Sequence, residues 1–136
     1  MQKNGIHMKK HILVITNSLQ DQLHLTLLLS KAGYCPTCCG CANTALITMQ
    51  ETSFDAILAD AVIDSQKDEQ MAAVEFIALL RSQLPETETP VLVRGEFISI
   101  QHMMDTLRSG AARYIPIPCS TEILLDNIAS ELNMRP

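Results

Sequence analysis

Short apolar runs alternate with amphipathic segments along most of the chain. The runs are rich in β-branched residues without polar alternation, which is typical of strands that are covered on both faces. Five such runs are predicted as strands: His11–Ile15, Tyr34–Cys39, Asp55–Asp60, Val91–Val93 and Arg113–Ile115.

An amphipathic helix is predicted after each of these strands, bounded by capping and stop residues. The first begins at Ser18, carries Leu19, Leu23, Leu27 and Leu28 at helical spacing, and ends at Ala32–Gly33. The others are a short helix capped by Asn43, a helix over Met71–Leu84, a helix over Ile100–Ser109 that stops at Gly110, and a last helix after Ser120 with Ile123, Leu124, Ile128 and Leu132.

Regular alternation of strands and helices predicts an α/β fold with a parallel sheet and helices on both faces. Five units are too few for an eight-stranded barrel, which leaves a doubly wound flavodoxin-like sheet of order 2-1-3-4-5. Pro36 fits an edge strand. Ligands of such sheets bind at the carboxyl ends of the strands, here Thr16–Asn17 after the first strand and Asp60 at the end of the third.

The composition suits one domain over 11–133, preceded by a loose polar arm over 1–10. No apolar run is long enough to span a membrane, and no export signal precedes the first strand, so we expect a cytoplasmic protein. The net charge is -5, no basic run occurs, and aromatic residues make up only 4% of the chain. These values argue against a nucleic-acid surface.

Five segments of the chain resemble the receiver domain of bacterial two-component response regulators, in the family's order and at nearly ungapped spacing. They are Ile12–Ile15, Ala32–Tyr34, Phe54–Asp60, Pro90–Val93 and Gly110–Pro118. The resemblance runs from His11 to Leu132. It implies the flavodoxin-like fold, a phospho-accepting aspartate at Asp60, and a cis peptide bond between Ile117 and Pro118.

The pocket around Asp60 departs from the family. The altered positions are Thr16 and Asn17 in place of two acidic Mg²⁺ ligands, Gly95 in place of the switch serine or threonine, and Ile117 in place of a lysine. The family's switch aromatic is kept as Tyr114. The resemblance therefore implies a degenerate receiver that has kept the acceptor and lost the groups around it.

Phosphoryl transfer to a carboxylate requires positive charge beside the acceptor. Two unit charges about 4 Å apart interact by roughly 4 kcal/mol at an effective dielectric near 20, so the loss of two acids should weaken Mg²⁺ binding strongly. Asn17 and Thr16 still offer neutral oxygens. We expect no resident cofactor, weak Mg²⁺ binding and signalling through protein contact. For Asp60, three roles stay open: a strand-end carboxylate that caps amides, a residual phosphate acceptor, or a contact for another ligand.

The segment after Asp60 is about five residues longer than in the family and is acidic. Asp64 stands where the family usually has a proline, and Asp68 and Glu69 follow around Lys67. Two interpretations are open: a loop that docks a partner or recruits a metal, or a solvated insertion, since loops gain length at small cost.

Four of the five cysteines, Cys35, Cys38, Cys39 and Cys41, lie within seven residues, and Cys119 is separate. They can be packing residues, with Cys39 and Cys41 on one face of a strand and Cys38 on the other. The C-x-x-C of Cys35 and Cys38 also suits thiol redox chemistry, and four thiolates suit zinc or copper(I). The rival function is therefore a thiol-based redox or metal sensor.

No nucleophile–histidine–acid arrangement indicates an enzyme, and His7, His11, His24 and His102 have no ligand spacing, so we expect surface or edge positions for them. The resemblance implies a protein partner, either a histidine kinase or a downstream signalling protein. The contact face implied is the fourth helix, fifth strand and fifth helix: Ile100–Gly110, Arg113–Ile115 and Ser120–Leu132. That face also makes a homodimer an expected assembly.

Overall fold

The computed structural model describes residues 8–66 and 69–133, and within them the chain forms seven strands and five helices. The strands are β1 His11–Ile15, β2 Cys35–Cys39, β3 Ala56–Asp60, β4 Val62–Gln66, β5 Glu69–Ala72, β6 Val91–Glu96 and β7 Arg113–Ile117. The helices are α1 Leu19–Lys31, α2 Ala42–Glu51, α3 Ala73–Gln83, α4 Ile100–Arg108 and α5 Thr121–Asn133.

Five of the strands form one parallel sheet in the order β2-β1-β3-β6-β7. This is the predicted doubly wound order, because the two remaining strands form a separate hairpin. β2, which contains Pro36, lies at an edge of the sheet as predicted. The carboxyl ends of β1, β3 and β6 therefore lie side by side.

Each face of the sheet is covered by a separate apolar cluster, as a parallel sheet with helices on both faces requires. In β1, Leu13 and Ile15 pack into one cluster, and Ile12 and Val14 pack into the other. All four side chains are buried, which explains the unbroken apolar run of this strand.

The segment after Asp60 is a β-hairpin, not the loop that its polar sequence suggested. β4 and β5 pair antiparallel, and Ile63 of β4, the strand that packs against α2, is buried in the core. Met71 pairs with Ile63 in this hairpin, so α3 begins at Ala73 and not at the predicted Met71. Lys67 and Asp68, part of the predicted acidic loop, lie outside the described residues.

The first helix has its predicted cap but not its predicted inner face. Ser18 accepts a hydrogen bond from the Asp21 amide at 3.2 Å. The buried leucines are Leu25 and Leu29. Of the four leucines whose spacing predicted the helix, Leu19, Leu23 and Leu27 are exposed, and only Leu28 packs, partly buried, against the core. Leucine lines both sides of this helix, so spacing alone could not identify the buried side.

Further boundaries differ from prediction. β2 begins at Cys35 and not at Tyr34, and β6 and β7 run on to Glu96 and Ile117, beyond the predicted ends at Val93 and Ile115. The second helix begins at Ala42 after Cys41, one residue before the predicted cap Asn43. β3 begins at Ala56, although the amide of Asp55 donates to the His11 carbonyl and its carboxylate accepts from the His11 amide, both at 2.8 Å. No helix in the described residues is long and apolar enough to cross a membrane. Most of the predicted N-terminal arm, 1–10, and its His7 lie outside the described residues.

Candidate functional site

The carboxyl ends of the parallel strands bring Asp60 of β3 beside Arg94 of β6. Arg94 shares a strand face with Leu92, which packs in the cluster that includes α1. Asp60 shares the corresponding face of β3 with Leu58. The strand register thus places a carboxylate and a guanidinium together on the α1 side of the sheet.

Arg94 links two carboxylates at this position. Its Nε donates to Asp60 Oδ1 at 2.6 Å, and its Nη2 donates to Asp21 Oδ2 at 2.8 Å. Only 11% of the Arg94 side chain is exposed, against 21% for Asp60 and 43% for Asp21. A guanidinium this buried requires charged partners, and its planar donors suit two carboxylates at once. The positive charge beside Asp60 therefore comes from the chain itself.

The two residues after β1 are engaged in local structure. Thr16 is fully buried; its carbonyl accepts from Gln22 Nε2 at 2.8 Å, and its hydroxyl accepts a weak hydrogen bond from the Ser18 amide at 3.4 Å. The Asn17 side chain donates to both carboxylate oxygens of Asp64 at 3.3 Å. Asp64, in the hairpin, thus contacts one of the altered pocket positions.

Gly95, the predicted switch position, has no room for a side chain. A Cβ built on it would lie 2.6 Å from the Cβ of Ala61 and 3.0 Å from the Tyr114 hydroxyl. The space of a hydroxyl-bearing side chain is occupied by these two neighbours. Glycine at this position therefore follows from the packing around it.

Tyr114, the predicted switch aromatic, is buried against this glycine. Its hydroxyl donates to the carbonyl oxygen of Glu96 at 2.7 Å, and its ring meets His102 edge to face with centroids 5.7 Å apart. Burial, and secondarily the charge of Glu96, raises the pKa of Tyr114 above its ordinary value. His102 is half-buried in this contact and is not the surface residue that its spacing suggested.

Ile117, at the family's lysine position, brings no charge to the site and lines a cavity together with Asp60 and Arg94. The peptide bond between Ile117 and Pro118 is cis, as the resemblance implied. Within the described residues, no group of three or more acidic, histidine or cysteine side chains is arranged to hold a metal ion.

The cysteine cluster lies mainly on the edge strand β2, and Cys41, just after this strand, forms an isolated bridge with Asp64 of the hairpin. Cys39 is buried in one apolar cluster and Cys38 packs against the other, as in the packing interpretation, but Cys41 lies outside the strand, before α2, and does not share a strand face with Cys39. Burial raises the pKa of the Cys39 thiol, and a hydrogen bond with Thr48 partly opposes this shift. Because Cys35 and Cys38 are three residues apart in an extended strand, their Cα atoms are about 10 Å apart, beyond disulfide reach.

Sequence reasoning identified Asp60 but missed its partner Arg94 and the second carboxylate that this arginine binds, Asp21. An arginine that continues an apolar strand is a signal, because a buried guanidinium requires a carboxylate. That signal could have paired Arg94 with Asp60 at the end of the adjacent strand. Asp21 lies 73 residues from Arg94 in sequence and carries no comparable signal.

Comparison of the fold identifies its class. No protein-family profile matches the sequence, and no curated protein matches it. Solved structures do match across nearly the whole chain, and the class of fold they define is that of response-regulator receiver domains.

Three of these structures show the extent of the similarity. The receiver domain of Francisella response regulator 1452 has a TM-score of 0.82 at 18% identity and covers 93% of this chain and 98% of its own. A two-component response regulator from Clostridium difficile has a TM-score of 0.79 at 18% identity, and the match covers 92% of this chain and 97% of that one. The chemotaxis response regulator CheY4 of Vibrio cholerae has a TM-score of 0.80 at 22% identity, and the match covers 91% of this chain and 99% of that one. At these identities the comparison establishes the fold.

Proposed function

We propose that this chain is a signal-transduction domain of the two-component type that acts through protein contacts and does not use Mg²⁺-dependent phosphorylation of Asp60. The observation that carries the proposal is the guanidinium of Arg94, which lies between Asp60 and Asp21 at 2.6 and 2.8 Å. The receiver fold supports the signalling role, and the contents of the pocket support the change of mechanism.

The donor set at Asp60 does not suit Mg²⁺. This ion prefers near-octahedral oxygen coordination and usually takes carboxylate ligands. Here one Asp60 oxygen already accepts from Arg94. Thr16 and Asn17 are neutral and are hydrogen-bonded elsewhere. A divalent cation would have to displace a fixed guanidinium or lie beside it, and like charges at such distances repel by several kcal/mol at an effective dielectric near 20.

The conformational response to phosphorylation would also lack the side chains that usually contact the phosphoryl group. Gly95 offers no hydroxyl for an aspartyl phosphate, and Ile117 offers no amine. Tyr114 is held against the Glu96 carbonyl. Of the three roles considered for Asp60, we therefore favour a structural carboxylate, with Arg94 as its partner.

The contact face that the resemblance implies has exposed apolar side chains. Met104 and Leu107 of α4 and Ile123 of α5 are each more than one third exposed. Arg113 of β7 donates to Glu131 and Asn127 of α5, which fixes this helix against the sheet edge. We propose this α4–β7–α5 face for a protein partner or a second copy, and we propose no catalytic activity for the domain.

Phosphorylation with acetyl phosphate and Mg²⁺ tests the proposal. The wild-type domain and the Asp60→Asn variant are treated in parallel and measured by intact-protein mass spectrometry, with Asp105→Asn as a matched control on an exposed aspartate. We expect no phosphoryl adduct that depends on Asp60. A stable adduct in the wild type and in Asp105→Asn, absent from Asp60→Asn, would overturn the proposal.

The redox alternative has no supporting geometry, because β2 holds Cys35 and Cys38 extended. Titration of free thiols before and after mild oxidation checks it directly. Loss of two thiols from Cys35 and Cys38 with the native circular dichroism spectrum retained would restore this alternative.

A further inference from the structure

A cavity of about 330 Å³ opens at the carboxyl ends of β3, β6 and β7. Its volume lies in the range of sites that accept a small ligand or a bulky side chain. Small residues in its wall, Ala61, Ala72 and Gly95, leave this space open. His102, Tyr114 and Ile117 complete the inner wall, and Val62 and Ile98 line the solvent-exposed side.

Exposed apolar side chains surround the opening. Val62 of the hairpin and Phe97 and Ile98 of the loop between β6 and α4 are more than half exposed. Val62 and Ile98 also line the cavity, so the exposed patch and the cavity form one surface. Clustered exposed apolar side chains of this kind mark interaction sites, because their burial against a partner is favourable.

A buried polar atom in the cavity wall has no partner. The Nδ1 atom of His102 is buried and makes no hydrogen bond within the described residues. Burial without a hydrogen-bond partner is unfavourable for such a group.

An unpaired negative charge lies in the cavity wall. Glu96 lines the cavity, its side chain is exposed, and it forms no ion pair within the described part of the chain. The only arginine in the cavity wall, Arg94, is already shared by two carboxylates. Electrostatic complementarity therefore favours a cationic occupant.

From the cavity, its apolar rim and this charge, we propose that the surface formed by the β4–β5 hairpin and the β6–α4 loop binds a polypeptide segment of a partner protein. The segment inserts one bulky apolar or aromatic side chain into the cavity, and lysine or arginine residues flank that side chain. His102 of α4 and Tyr114 of β7 line the inner wall of this site, but its exposed apolar side chains are not those of the α4–β7–α5 face. The inference rests on the proposed function only in that the domain acts through protein contacts.

Selection from a library of random dodecapeptides displayed on phage tests this proposal with the intact domain as bait. We expect enriched peptides to share a bulky apolar residue flanked by lysine or arginine. The peptide most enriched is then synthesised, and its affinity is measured by fluorescence anisotropy against variants of the domain.

Ile98→Asp and Leu23→Asp form a matched pair, because each side chain is 69% exposed and only Ile98 lies at the cavity. We expect Ile98→Asp to weaken binding at least tenfold, about 1.4 kcal/mol, and Leu23→Asp to leave it unchanged. Glu96→Lys should also weaken binding. Circular dichroism and urea unfolding establish that each variant is folded.

Three results would overturn the inference: no enrichment of any peptide, enrichment without basic residues, or an affinity that Ile98→Asp does not change. Loss of binding in Leu107→Asp but not in Ile98→Asp would overturn the inference and support the α4–β7–α5 face. Phosphorylation of Asp60 would contradict the proposed function, whereas the peptide experiment uses the unmodified domain, so the two failures can be distinguished.

Discussion

Arg94 carries the positive charge beside Asp60 without any bound ion. Its two ion pairs differ in their access to solvent, since the Asp60 side chain is half as exposed as that of Asp21. Water screens the more exposed pair more strongly. The two pairs should therefore contribute unequally to folding.

Double-mutant cycles with Arg94→Met, Asp60→Asn and Asp21→Asn measure this difference. We expect a coupling free energy of about 1–3 kcal/mol between Arg94 and Asp60, and less than about 1 kcal/mol between Arg94 and Asp21. Urea unfolding of the single and double variants supplies the values. Equal couplings would show that burial does not separate the two pairs.

Gly95 is required by the close approach of Ala61 and Tyr114. Gly95→Ala should destabilise the domain by about 1–3 kcal/mol, because its Cβ would lie 2.6 Å from the Cβ of Ala61. Gly40→Ala is the control, since its nearest neighbour would be Gln22 Nε2 at 3.8 Å, an ordinary contact. Urea unfolding of both variants checks this. A neutral Gly95→Ala would indicate that the hairpin start can move.

Tyr114 should make stability depend on alkaline pH. Burial raises its pKa in the folded state above the value near 10 of an unfolded tyrosine. The neutral phenol is thus favoured by folding, so its contribution is complete below about pH 10 and is lost as pH rises through the raised pKa. In the Tyr34→Phe variant, phenolate absorbance reports the ionisation of Tyr114 alone. The pH midpoint of this ionisation should be higher in the folded protein than in the urea-unfolded chain. Equal midpoints would contradict the assigned burial.

At the scale of elements, α1 has apolar side chains on both its buried and its exposed sides. Leu25→Ala should cost about 2–5 kcal/mol, because Leu25 is 1% exposed in the core. Leu23→Ala should cost less than about 0.5 kcal/mol, because Leu23 lies on the solvent side. Thermal or urea unfolding of the two variants measures this. Similar losses would mean that the exposed leucines are covered in solution.

An element could be predicted from the sequence only where its buried residues follow a regular pattern. The continuous apolar run of β1 allows only a strand covered on both faces, so this element and the sheet order could be predicted. The β4–β5 hairpin could not, because Ile63 is its one deeply buried residue and polar residues surround it. Its stability comes from pairing and from that single anchor, neither of which leaves a periodic signal.

At the scale of the whole molecule, the proposed loss of the Mg²⁺ site can be tested through stability. A ligand that binds only the folded state raises the free energy of unfolding according to its concentration and affinity. We expect millimolar Mg²⁺ to leave the urea midpoint of the wild type unchanged relative to a matched concentration of NaCl. A Mg²⁺-specific increase in that midpoint would contradict the proposed loss of the metal site.

The site was predictable where it depends on chain order and not where it depends on contacts across the fold. Asp60 follows from its place at the end of a strand, and Thr16, Asn17, Gly95 and Ile117 follow from comparison with the family's order. The pairing of Arg94 with Asp21 joins β6 to α1 and exists only once the sheet has assembled.

The ion pairs of Arg94 also limit the ways in which a cell can regulate this domain. A metal ion or a phosphoryl group can be added and removed within the lifetime of a protein molecule, whereas a side chain is present from synthesis to degradation. The Arg94 guanidinium is such a permanent charge, so every folded copy of the domain has the same charges around Asp60. The variable left for regulation is then the number of copies and whether a partner occupies them.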